Sequence, residues 1–153
     1  MTLGLSSDII GAMVQFYFLS IVANLLGGIA LAEGYLAERI PLLQSIQESL
    51  TKRGTKTVIG FSTAIVGLLK LIVAPIAPVD NMGVPVVGDL LPALVGLGIG
   101  AVLLVDALRE KVTVPDETVE SVEKKIVPYR VPLGLAGIAV SILHFFLPGA
   151  LFL

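Results

Sequence analysis

Cysteine is absent from this chain, and histidine occurs once, as His144. Without cysteine there are no disulfides, no iron–sulfur clusters and no thiolate nucleophile. A single histidine with no partner at ligand spacing gives no metal site. Charge is scarce too. Asp, Glu, Lys and Arg make up 14% of the residues, against about 25% in an ordinary soluble domain. That leaves too little polar surface to cover a water-facing globule of 153 residues. Recognisable catalytic arrangements are missing: no HExxH, no P-loop, no nucleotide-binding GxGxxG after a strand, no well-placed Ser-His-Asp set. Neither an enzyme nor a cofactor is expected. Residues 1–8 carry no basic run, and the apolar run after them is too long for the core of a signal peptide. It reads as an uncleaved first span.

What the chain has in quantity is apolar sequence: 56% hydrophobic residues and a mean hydropathy of +0.98. About twenty apolar residues cross the ~30 Å hydrocarbon core of a bilayer. Four runs are long enough, at 9–32, 57–74, 90–108 and 131–147. Pro75 and Pro78 end the second, and Pro148-Gly149 ends the fourth. Pro92 falls in the first turn of the third, where proline costs least. The expected fold is an all-α membrane protein, with four transmembrane helices in a single integral domain spanning 1–153.

The basic residues give the direction. Arg39, Lys52, Arg53 and Lys56 lie in one segment, and Arg109, Lys111, Lys124, Lys125 and Arg130 in another; Lys70 is the tenth. Segment 76–89 has only Asp80 and Asp89 for charge. By the positive-inside rule, 38–56 and 109–130 face the cytoplasm, while 76–89 and both termini face outward. The expected location is a plasma membrane of the bacterial inner-membrane type. Because the basic residues are divided between loops that also hold acids, nucleic acid is not an expected partner. Each basic loop contains a short amphipathic pattern, at 41–53 and 115–126. Both predict helices lying in the membrane interface, or simply tying off the loops.

The chain also resembles one hairpin written twice, with repeats at about 9–75 and 89–148. A shift of 73 sets Gly27 on Gly100 and Glu33 on Asp106; a shift of 74 sets Gly60 on Gly134 and Lys70 on His144. Apolar matches arise easily by chance, so the weight rests on the rare letters. Each unit crosses the membrane twice, so the relating axis should run along the membrane normal.

Charged groups at membrane depth are costly and are functional candidates by default. Lys70 lies fourteen residues beyond Lys56, about 21 Å along a helix, and His144 lies equally far beyond Arg130. Glu33 and Asp106 stand at the cytoplasmic ends of their spans. In one reading these four line a polar path: the acids gather cations at the inner mouth, and Lys70 and His144 set selectivity or relay protons. In the plainer reading the acids mark where helices leave the lipid, Lys70 snorkels outward and His144 bonds a neighbouring helix. For Lys70 the expected partners are His144, carbonyls freed near Pro75, or other copies of Lys70. Gln15, Ser20 and Asn24 in span one read as helix-joining groups. Gly27 and Gly28, and the GxxxG of Gly96 and Gly100, predict close helix contacts within the chain or between copies.

The leading expectation is a small channel or transporter subunit working as an oligomer in the lipid bilayer. The alternative is a non-catalytic subunit that stabilises a larger membrane complex. In size alone the chain is similar to small multidrug transporters and dual-topology fluoride channels. Glu33, however, ends its span where the former carry a mid-span glutamate, and the loop charges here are strongly biased. That likeness carries over no residues.

Overall fold

The computed structural model describes residues 2–73, 90–109 and 116–147. Segment 76–89, expected to face outward, and Pro75 and Pro148, expected to end helices, lie outside them. Among the described residues the chain is entirely helical. Helix α1 (Thr2–Leu31) stops at Ala32, whose φ of −99° and ψ of 15° interrupt the spiral for one residue before α2 (Glu33–Ala37). Ile40 is extended, with φ −123° and ψ 101°. Pro41 follows it, and a proline pushes the preceding residue out of the helical region. Pro41 itself opens α3 (Pro41–Thr51), where its missing N–H costs nothing. Lys52 is extended again, and α4 (Arg53–Val73) begins. Helix α5 (Leu90–Arg109) and helix α6 (Asp116–Phe146) complete the chain.

Four of these helices are long and apolar enough to cross a membrane, over Val14–Leu31, Gly54–Ile72, Leu90–Ala107 and Lys124–Phe146. They match the four predicted runs to within a few residues, apart from the fourth. There the expectation of a separate helix at 115–126 is corrected: that segment and the span form one helix of 31 residues. Pro128 and Pro132 lie inside it. Both are exposed, so the carbonyls left without a donor one turn earlier lie at the helix surface and not in the core. In the first half, Ile40-Pro41 does divide the connection, and α3 stands alone.

The bundle is a ring in the order α1, α4, α5, α6. Helix α4 packs most extensively on α5 and α1 on α6, while α1 and α5 also meet across the centre. Close backbone contact brings these helices together. Glycine makes that contact possible. A Cβ added at Gly100 would stand 2.6 Å from the backbone nitrogen of Ala64, and one at Gly28 would stand 2.5 Å from the carbonyl oxygen of Gly134. A buried layer of Ala30, Leu31, Ile99 and Leu103 fills the interior, flanked by Ile59, Val95, Val102 and Leu133.

Candidate functional site

One end of the bundle, called here the basic end, is tied by two ion pairs. Glu33, at the start of α2, accepts a hydrogen bond of 2.6 Å from Lys56 Nζ on α4. Asp106 on α5 accepts one from Arg130 on α6. All four side chains are partly buried, at 15–29% of their free exposure. Each acid therefore meets a base from the next of the four long helices, and the two sites are built alike. Sequence reasoning singled out both acids but treated Lys56 and Arg130 only as markers of topology. A usable signal was present: acid and base are 23 residues apart in one case and 24 in the other.

Beyond the apolar layer the interior turns polar. Asn24 on α1 is 3% exposed and donates through Nδ2 to the carbonyl of Pro92 on α5, at 2.9 Å. Its Oδ1 lies over Gly96, where a Cβ would come within 2.6 Å of it. Gly96 is thus small because Asn24 occupies the place of a side chain. Thr63 on α4 is 1% exposed, with its hydroxyl 2.7 Å from the Ile59 carbonyl and 3.2 Å from that of Ala23 on α1. Gly27 faces Thr63 and Ile99. So all four glycines named from the sequence sit in contacts within one copy.

Farther still from the basic end, Lys70 of α4 and His144 of α6 meet. Nζ is 3.3 Å from Nε2, and the residues are 6% and 2% exposed. Tyr17 of α1 closes over them. Its hydroxyl donates to the backbone carbonyl of His144, its ring centroid is 4.7 Å from the imidazole, and Lys70 Nζ lies 6.0 Å from that centroid. Ser20 and Ser141, both buried, donate to carbonyls of their own helices. Lys70 therefore points into the bundle instead of reaching out along its surface. An ammonium has no lone pair. While Lys70 is charged, the contact requires an unprotonated Nε2 on His144, with the ring proton on Nδ1. The arrangement sets a proton donor, Nζ, beside a proton acceptor, Nε2, with both residues almost fully buried. Nothing in the sequence marked Tyr17 out, because one aromatic ring in an apolar span has no distinguishing pattern.

Among the described residues no group of three or more His, Asp and Glu side chains gathers as a metal site. No solved structure matches the chain. An uncharacterized protein of Treponema pallidum (strain Nichols) is 33% identical over 143 residues, which cover 92% of this chain and 100% of that protein. The model of an uncharacterized protein family matches residues 13–144, from the first span to His144, and takes in both ion pairs and the Lys70–His144 contact. The chain belongs to that family.

Proposed function

We propose that this protein is a small multi-pass membrane protein that works as a channel or transporter subunit, with the Lys70–His144 contact as its proton-handling centre. The carrying observation is that contact: an amine and an imidazole 3.3 Å apart, both almost fully buried. A bundle that needed only stability would fill those positions with apolar side chains. Ile99 and Leu103, 0% and 1% exposed, close the interior between the contact and the basic end. A path through one copy must therefore open at that layer, or run between copies of an oligomer.

The chain reads further as two hairpins related by a rotation about the bundle axis. One parallel supports this: Glu33–Lys56 and Asp106–Arg130 repeat one ion pair. Lys70 and His144, counterparts in such a repeat, then meet on the axis. The basic end faces the cytoplasm in this reading. Single cysteines test that, since the chain has none. An impermeant reagent on intact cells should label Asn81→Cys and spare Ser121→Cys; the reverse pattern overturns the orientation.

The same closed layer favours a second reading, a non-transporting subunit of a larger membrane assembly. Liposomes loaded with a pH-sensitive dye and carrying the purified protein separate the two. Under an imposed potential, the transport reading expects a proton flux that Lys70→Leu abolishes. A silent wild type that purifies with other membrane proteins favours the assembly role.

A further inference from the structure

We propose that α3 is a lipid-seated helix at the basic end. Its Leu42–Ile46 edge sits among the headgroups of the adjoining leaflet, and Arg39 and Lys52 at its two ends engage anionic phospholipid. The inference rests on the membrane embedding of the chain and not on its transport role.

The geometry of α3 divides it into three faces. Leu43, Gln47 and Leu50 are half-buried and turn toward the protein, where α3 packs on α2 and α4. Leu42 and Ile46 lie about a quarter turn round the helix from that face, and are 75% and 42% exposed. Gln44 and Glu48 are exposed on the side away from the Leu42–Ile46 edge. A single exposed leucine is ordinary on a water-facing helix, but here Leu42 and Ile46 form an edge opposite the polar side. A helix lying at a bilayer surface has this form, with its polar side up and its apolar edge down. The position fits as well. Ile40, itself 42% exposed, comes seven residues after Glu33 at the end of the first bundle helix, and Lys52 comes four before Lys56 at the start of the next. Both ends of α3 are therefore tethered at the level where the spans leave the lipid.

Charge names the lipid. Arg39 stacks on the Tyr35 ring, 3.6 Å from its centroid, and donates to the Tyr35 carbonyl at 3.0 Å. Its side chain is still 52% exposed, and its contact with Glu38 is a loose 3.4 Å. The ring holds the guanidinium flat, with donors left over for a phosphate. Lys52 is exposed at the other end. Basic residues beside an apolar edge are the pattern that anionic leaflets attract.

Tryptophan is absent from the chain, so a single one reports cleanly. Leu42→Trp, Gln44→Trp and Phe61→Trp each go into bilayers containing brominated lipid. Phe61 is an exposed residue of α4 and reports the span itself. Trp at 42 is expected to lose roughly half or more of its emission to bromine near the headgroup end of the acyl chain, as an apolar edge buried a few ångströms deep should. Trp at 44 should lose little. Energy transfer from Trp at 42 to a dansyl-labelled phosphatidylglycerol should exceed transfer to the phosphatidylcholine counterpart. Arg39→Gln with Lys52→Gln should reduce that preference by roughly an order of magnitude. If Trp at 61 is quenched and Trp at 42 is not, α3 does not sit in lipid and the inference fails, while the membrane embedding stands. If neither is quenched, the embedding itself fails. A Trp at 42 that is shielded but unquenched, in a larger oligomer, assigns the edge to a second copy. Equal transfer to both lipids overturns the assignment to anionic lipid.

Discussion

At the basic end, Glu33 meets Lys56 and Asp106 meets Arg130; at the far end, Lys70 meets His144 beneath Tyr17. The first pairs join opposite charges, stay partly exposed, and connect α2 to α4 and α5 to α6. Such pairs contribute about 1 kcal/mol or less each. The second places an amine beside an imidazole, with both residues almost fully buried. Burying that amine costs stability unless the contact offsets it. The basic end is thus explicable as reinforcement of the fold. The far end is not, and a costly arrangement that needs a reason is where function is sought.

This contrast requires that the ends be independent, separated by a rigid middle layer. The largest effect is therefore expected from Gly100→Val. Its branched side chain would push into the Ala64 backbone and drive α4 from α5, costing about 3 kcal/mol. Unfolding in mixed micelles measures it, and both ends should be lost together. A variant that keeps normal stability would mean the layer can yield, and the ends are then coupled.

His144→Ala comes next. It removes the imidazole and leaves the Lys70 ammonium with one buried contact fewer, at an expected cost of about 2–3 kcal/mol. Replacing both members tells the two roles apart. Lys70→Met with His144→Leu exchanges a polar contact for an apolar one of similar volume, so stability should change by less than about 1 kcal/mol, while any proton flux disappears. If the double variant is as unstable as His144→Ala, the contact holds the fold together and the two ends do not differ in kind.

The sequence marked these ends unequally. The four apolar runs were enough to locate the four long apolar helices, because bilayer thickness sets a length that composition alone reveals. Glu33, Asp106, Lys70 and His144 stood out because charge is rare in such runs. For Lys70, His144 was already among the expected partners; the company of the two acids was not foreseen. Lys56 and Arg130 already had an explanation as topology signals. Tyr17 and Thr63 look like ordinary span residues, and only the rotation of α1 and α4 within the bundle decides that they face inward. Asn24 was read as a helix-joining group, but only the structure names what it joins: Pro92 and Gly96 of α5. The continuous α6 escaped because a charged amphipathic pattern and the apolar run after it read as two elements. The two prolines between and within them, Pro128 and Pro132, do not interrupt the helix. Whether one breaks a helix depends on where its freed carbonyl points, and that is a property of the fold.

The smallest effect should come from Glu33→Gln. It keeps the shape of the side chain and removes its charge, so Lys56 retains a hydrogen bond and loses an ion pair. With both partners partly exposed, the expected loss is about 0.5–1 kcal/mol at low salt, shrinking as salt is added. Exchanging the two charges, Glu33→Lys with Lys56→Glu, should recover most of it, because the same two positions still face each other. Asp106→Asn should behave alike at the matching pair. Unfolding of each variant at low and high salt measures both points. If either neutral substitution costs several kcal/mol and salt does not change it, that pair is dry. The basic end would then carry a buried charge of its own, and Glu33 or Asp106 would rejoin Lys70 and His144 as a site the fold maintains at a cost.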